Sequence, residues 1–115
     1  MQMSDLAAMD CERVNRDSSP VSEEEQKEYR SQVPEWDVLE KNGARRLRRT
    51  YKFDNFKEAL EFTNRVGELA EEQDHHPVLT TEWGKVTVTW WTHVIGGLHR
   101  NDFIMAAKSD QAYKS

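Results

Sequence analysis

Residues 54–93 read DNFKEALEFTNRVGELAEEQDHHPVLTTEWGKVTVTWWTH, and a change of hydrophobic period inside this stretch decides the fold. Phe56, Ala59, Leu60, Thr63, Val66, Leu69 and Ala70 recur at helical spacing up to about Gln73, behind Asp54 or Asn55 as a cap. Pro77 disfavours helical geometry at His76, so Asp74-His75-His76-Pro77 leaves the helix as a shaped exit. The period then drops to two. Val78 to Trp83 and Lys85 to His93 are expected as strands that turn at Gly84. Val86, Val88 and Trp90 fall on one side of the second strand, and Thr87, Thr89, Trp91 and His93 on the other.

Working outward toward the N-terminus, Asn42-Gly43 has the positive backbone angles of a tight turn, so Trp36–Glu40 and Ala44–Phe53 form a hairpin with Leu47, Tyr51 and Phe53 toward the core. Ser22 and Glu25 have capping-box spacing, and three glutamates in a row suit the positive end of a helix dipole, which predicts a helix from Ser22 to about Gln32. Beyond Gly96-Gly97, helical spacing returns from Asn101 to Tyr113 through Phe103, Ile104, Ala106 and Ala107. The order α-β-β-α-β-β-α specifies an α+β fold, a four-stranded antiparallel sheet with three helices packed on one face. Residues 1–20 are polar, close on Ser18-Ser19-Pro20 and read as a flexible tail, which leaves 21–115 as a single domain.

A chain of 115 residues that is 37% hydrophobic and 32% charged holds one small core, to which four Trp, four Phe and three Tyr contribute much of the volume. Covering the remaining aromatics by homo-oligomerisation is expected, with Trp90-Trp91 as the subunit contact. A net charge of −5 argues against general affinity for nucleic acid or anionic membrane. The run Arg45, Arg46, Arg48, Arg49 and Lys52 is expected to be a solvated or edge strand. One cysteine, Cys11, forms no internal disulfide, and neither a signal peptide nor an 18-residue apolar window occurs, so a cytoplasmic location is expected.

His75, His76 and His93 lie on elements that one sheet can bring together. Imidazole is the side chain that exchanges protons most readily near neutral pH, so such a cluster suits acid–base chemistry. Glu71, one helical turn before His75, is placed to hold that ring. Asp102 falls in the first turn of the last helix, where a carboxylate stabilises the N-terminus. Metal binding is the competing reading of three histidines, but no H-x-x-x-H or H-E-x-x-H spacing is present, and no metal site is expected.

Glu71-x-x-x-His75-His76-Pro77, followed by Trp83, His93 and Asp102, resembles the signature of the pterin-4a-carbinolamine dehydratases. Trp36, Phe53-x-x-Phe56, Phe62-x-x-x-Val66 and His93-x-x-Gly96-Gly97-Leu98 are also similar to the family, from about Ser22 to Ala107. The resemblance implies a hydro-lyase that dehydrates 4a-hydroxytetrahydropterin to quinonoid dihydropterin, the recycling step after aromatic amino-acid hydroxylation. It implies no metal or redox cofactor, and homodimers that often pair into tetramers. A non-catalytic dimerisation or coactivator module on the same fold is the alternative.

By the same resemblance, His75, His76 and His93 are the catalytic set, with His75 and His93 the proton-transfer pair and His76 orienting the pterin or sharing that role. Asp74, Trp91, Thr92, Val94, Pro77, Glu71 and Trp36 line the substrate, Asp102 supports them, and Trp83 joins Trp36 as a wall. His99 stands where many relatives have Ser or Thr, so the last helix is expected to lack an ordinary N-cap.

Overall fold

In a computed structural model, described here for residues 6–114, the elements follow the expected order. They are α1 (Glu23–Arg30), β1 (Asp37–Lys41), β2 (Ala44–Lys52), α2 (Phe56–Gln73), β3 (Val78–Glu82), β4 (Lys85–Trp90) and α3 (Arg100–Lys114), with short 3-10 turns at Leu6–Ala8 and His93–Ile95. Local chemistry sets their boundaries. Ser22 and Glu25 form both halves of the capping box of α1. Asn42 and Gly43 take the left-handed angles that join β1 to β2. Asn55 accepts the Glu58 N–H at 2.8 Å to start α2.

The sheet order is β1-β2-β4-β3, antiparallel throughout, and the helices lie on one face. Pairing of Leu47 with Trp90 and of Tyr51 with Val86 puts these residues, with Val88, on the helix side, where all are buried. α2 contributes Ala59, Phe62, Val66 and Ala70. Its buried stripe is rotated from the expected one: Phe62 is in the core, while Phe56 and Leu60 are exposed. α3 is the central helix. Asn101 through Ala107 are all buried, because the sheet lies beneath this helix and α2, α1 and the N-terminal segment pack around it.

Two expectations about charge and aromatics are corrected. β2 is an interior strand flanked by β1 and β4, so its arginines do not guard an edge, while Arg45 and Arg48 are solvated as the other half of that expectation has it. Alternation divides them: Arg45 pairs with Glu23 at 2.7 Å and Arg49 with Asp110 at 2.7 Å on the helix side, while Arg46 lies 3.9 Å from the Trp91 ring centroid on the other. Trp90 is enclosed in the core and Trp91 is covered within the same chain, so neither ring needs a second subunit to leave water. Among the described residues, no helix is long and apolar enough to cross a membrane.

Of the stretch expected to be a flexible tail, residues 1–5 lie outside the described residues, and residues 6–12 pack over α3 as a strap. Leu6 and Ala7 are buried in the core, and the Leu6 N–H donates to Gln32 Oε1. Cys11 donates its N–H to Gln73 Oε1, and its half-buried thiol is pushed up to about 12, chiefly by burial. Asn101 clasps Glu12 with two bonds, accepting its N–H at 3.0 Å and donating Nδ2–H to its carbonyl at 2.7 Å. Val21 N–H reaches Leu98 O. A polar composition concealed this docking, because the strap is held by backbone hydrogen bonds and only a few apolar anchors. Replacing Leu6 by Ala is expected to cost about 2–5 kcal/mol in urea unfolding, as for other core leucines; a cost under about 0.5 kcal/mol would show that the strap is not part of the core.

Candidate active site

The turn that ends α2 aims His75 into the protein. Asp74 adopts the left-handed conformation (φ 53°, ψ 44°), its N–H returns to the last turn of the helix, and His75 N–H donates to Ala70 O at 3.1 Å. The reversal lays the His75 ring nearly parallel to the Trp90 indole, with centroids 5.6 Å apart and planes 9° apart. His75 Nε2 then meets Asp102 Oδ1 at 2.6 Å.

Asp102 is wholly buried in the first turn of α3. Its second oxygen accepts the Thr92 hydroxyl at 2.8 Å and the His99 N–H at 2.9 Å. One carboxylate thus ties the exit of α2, the segment after β4 and the start of α3. An ionised carboxylate only accepts hydrogen bonds, so opposite an ionised Asp102 the Nε2 of His75 is the donor. The two oxygens of Asp102 thus face different segments, Oδ1 the His75 ring and Oδ2 the Thr92 hydroxyl and the His99 N–H that precedes α3.

His76 and His93 flank this network, each next in sequence to one of its members, and both are exposed. Glu71 hydrogen-bonds His76 and not the expected His75. The physical reason is the left-handed Asp74, which breaks the helical i, i+4 geometry and brings the following residue back over the last turn. His93 does not end a strand. β4 stops at Trp90, and Thr92 bridges Gly97 around a 3-10 turn that places His93 and Val94 in solvent, with Gly96 at φ 63° closing the turn. The His93 ring contacts Trp91 at 4.2 Å between centroids.

The other residues expected at the site divide. Asp74 is exposed and Pro77 half-buried beside the histidines in the chain. Thr92 is buried with its hydroxyl committed to Asp102, and Trp91 lies beneath Arg46. Trp36 is not at the histidines. It is fully buried with its Nε1–H on Asp110 Oδ1 at 3.0 Å, and Asp110 sits about 12 Å along α3 from Asp102 at 1.5 Å per residue. Trp83, 73% exposed, lies at the turn of the β3–β4 hairpin, the opposite end from His75 and His93, so it does not wall the site within one chain. Among the described residues, no three His, Cys, Asp or Glu side chains are grouped to hold one metal ion.

Against the expectation that α3 lacks an N-cap, His99 Nδ1 accepts the Asn101 N–H at 3.0 Å and caps the helix. The spacing His99-x-x-Asp102, that of a capping box, was the available signal. Burial lowers the basicity of His99, against the opposing charges of Glu12 and Asp102, and keeps Nδ1 available as an acceptor. Asp102→Ala, which strands buried donors from three segments, is expected to cost about 3 kcal/mol or more in denaturant unfolding. His76→Ala, at an exposed position, should stay within about 0.5 kcal/mol. Equal costs for the two variants would contradict the central place given to Asp102.

The family described as Pterin 4 alpha carbinolamine dehydratase matches residues 19–112. A protein of Nitrosococcus oceani named "Putative pterin-4-alpha-carbinolamine dehydratase" is 56% identical over 112 residues, covering 97% of this chain and 99% of its own. A protein of the same name from Microcystis aeruginosa is 53% identical over 112 residues, covering 97% of each chain. Such alignments necessarily take in most of the strap, which the resemblance read from the sequence left unmatched. A solved structure titled transcriptional coactivator/pterin dehydratase from Brucella melitensis superposes with a TM-score of 0.74 at 29% identity, over 82% of this chain and 98% of that one. On the family match across most of its length and two relatives above half identity, the chain belongs to the pterin-4-alpha-carbinolamine dehydratase family.

Proposed function

We propose that this protein dehydrates 4a-hydroxytetrahydropterins to the quinonoid dihydropterin by acid–base catalysis at His75, His76 and His93. The observation that carries the reading is the buried His75–Asp102–Thr92 network flanked by two exposed imidazoles. The names borne by the relatives agree with it.

The reaction needs little more than two proton transfers. The C4a hydroxyl takes a proton and leaves as water, the ring nitrogen beside it gives up a proton, and its electron pair forms the C=N bond. One proton enters and one departs, so a single acid and a single base balance the step without a redox cofactor. Each positioned group contributes about 10²- to 10⁴-fold. His75, oriented from behind by Asp102, and His93 form the proton-transfer pair, while His76, held by Glu71, orients the pterin. Asp74, Pro77, Trp91 and Val94 complete the surroundings of the substrate.

In this reading the protein works in the cytoplasm as a homodimer or homotetramer and regenerates the pterin used by an aromatic amino-acid hydroxylase. The Brucella melitensis structure carries the word coactivator in its title, which keeps a non-catalytic assembly role as the second reading. The deciding measurement is turnover of chemically generated 4a-hydroxytetrahydropterin by chelator-treated protein. The expected result is acceleration over the spontaneous rate, reduced about 10²- to 10⁴-fold in His93→Ala with unchanged thermal unfolding. No acceleration by the wild-type protein leaves the assembly role, and activity lost only on chelation points to a metal hydrolase.

A further inference from the structure

The first turn of α3 is closed by a reciprocal pair of hydrogen bonds. His99 Nδ1 accepts the Asn101 N–H at 3.0 Å, and Asp102 Oδ2 accepts the His99 N–H at 2.9 Å. This is the bonding logic of a capping box with imidazole in place of a hydroxyl as the N-cap acceptor. The other oxygen of Asp102 holds His75 at 2.6 Å. The cap and the imidazole therefore share one carboxylate, whose position depends on the turn that carries it. We propose that His99 is a positioning residue of the site: neutral, it closes the first turn of α3 and fixes Asp102 behind His75, and protonated, it releases that turn.

The switch follows from donor and acceptor chemistry. A neutral imidazole has one acceptor nitrogen, and here that nitrogen faces an N–H. Protonation converts it to a second donor, so two donors confront each other and the cap is lost. The groups around the ring provide an alternative. From the strap, Glu12 Oε1 lies 3.8 Å from His99 Nε2 while also pairing with Arg100 at 2.8 Å. From α3 come Asp102 and Arg100, and from the exit of α2 comes His75. Glu12 and Asp102 favour the charged ring; burial, the largest influence, and the Arg100 and His75 charges oppose it. Acidification thus exchanges a helix cap for an ion pair with Glu12.

The sign follows from the same balance. His99 is less basic in the folded chain than its ordinary value of 6.5, so the unfolded chain binds the proton first. The stabilisation is complete above about pH 6.5 and declines as the pH falls from there through the lower folded value. The site then loses the support behind His75 as a result of a change at a residue that does not touch the substrate.

The inference uses the proposed dehydration only for its kinetic readout, and its structural readout is independent. The experiment compares the full chain with His99→Asn, because Asn is among the strongest N-caps and does not titrate. Amide hydrogen exchange at Asn101 to Phe103, corrected for intrinsic rates, is followed from pH 7.5 to 5.5 together with kcat and KM for 4a-hydroxytetrahydropterin. Wild-type protection is expected to fall about fivefold, the worth of one cap, and that of H99N by less than twofold. The ratio of kcat for H99N to wild type is expected to rise with acidity by a similar factor, while the ratio of KM values holds.

The same loss of protection in both proteins overturns the inference. Protection that falls in wild type alone, with no change in the kcat ratio, overturns the positioning role and leaves a purely structural cap. Absence of turnover by wild type at every pH defeats the dehydration reading and, with it, the positioning role, whereas the exchange data still decide whether protonation of His99 opens the turn.

Discussion

A carboxylate removed entirely from water must find its hydrogen bonds inside the protein or cost several kcal/mol. Asp102 finds three, and each comes from a different segment of the chain. The imidazole comes from the exit of α2, the hydroxyl from the residues after β4, and the amide from the start of α3 itself. Its burial is tolerable only when all three segments have arrived, so the site and the closing of the fold are one event. The same helix carries a second carboxylate with three partners, half-buried and drawing two of them from β2. Asp110 accepts Trp36 Nε1–H, the Arg49 guanidinium and the Tyr51 hydroxyl, and burial together with that carboxylate raises the Tyr51 phenol above its ordinary range. α3 is thus pinned at one end by a site carboxylate and at the other by a structural one. The arrangement keeps Trp36 and His75 apart although both bond to acids of a single helix.

The parts of the fold that were legible in the sequence are those encoded by local chemistry. Ser22 with Glu25, Asn42-Gly43, Asn55 and Pro77 each act within a few residues, and each does in the structure what its chemistry requires. The period-two reading of β4 was equally local, and Val86, Val88 and Trp90 do face the core. Where the reading failed, the deciding interaction was distant. The strap is held by Gln73 and Asn101, far along the chain, and its own composition carries little sign of them. The arginines of β2 looked like an edge because their partners, Glu23, Asp110 and Trp91, lie on three other segments.

The candidate site shows the same division. The histidine signature was readable as a pattern, but a single backbone angle at Asp74 redistributed its partners, giving Asp102 to His75 and Glu71 to His76. Trp36 and Trp83 were grouped with the histidines because they belong to the same signature. One instead serves the core around Asp110, and the other stands at the far end of a hairpin. A spaced pattern records which residues a family uses together, and it does not record which of them touch.

Cys11 gives the strap a chemical consequence. Its thiol is held near Asn101 O at 3.9 Å, and with its ionisation pushed up to about 12 it is almost free of thiolate, the form that reacts with alkylating agents and disulfides. Detached from α3, the same sulfur would recover ordinary thiol reactivity. Cys11 is therefore a built-in reporter: the rate at which it is labelled measures how often the segment that clasps the site helix lifts away.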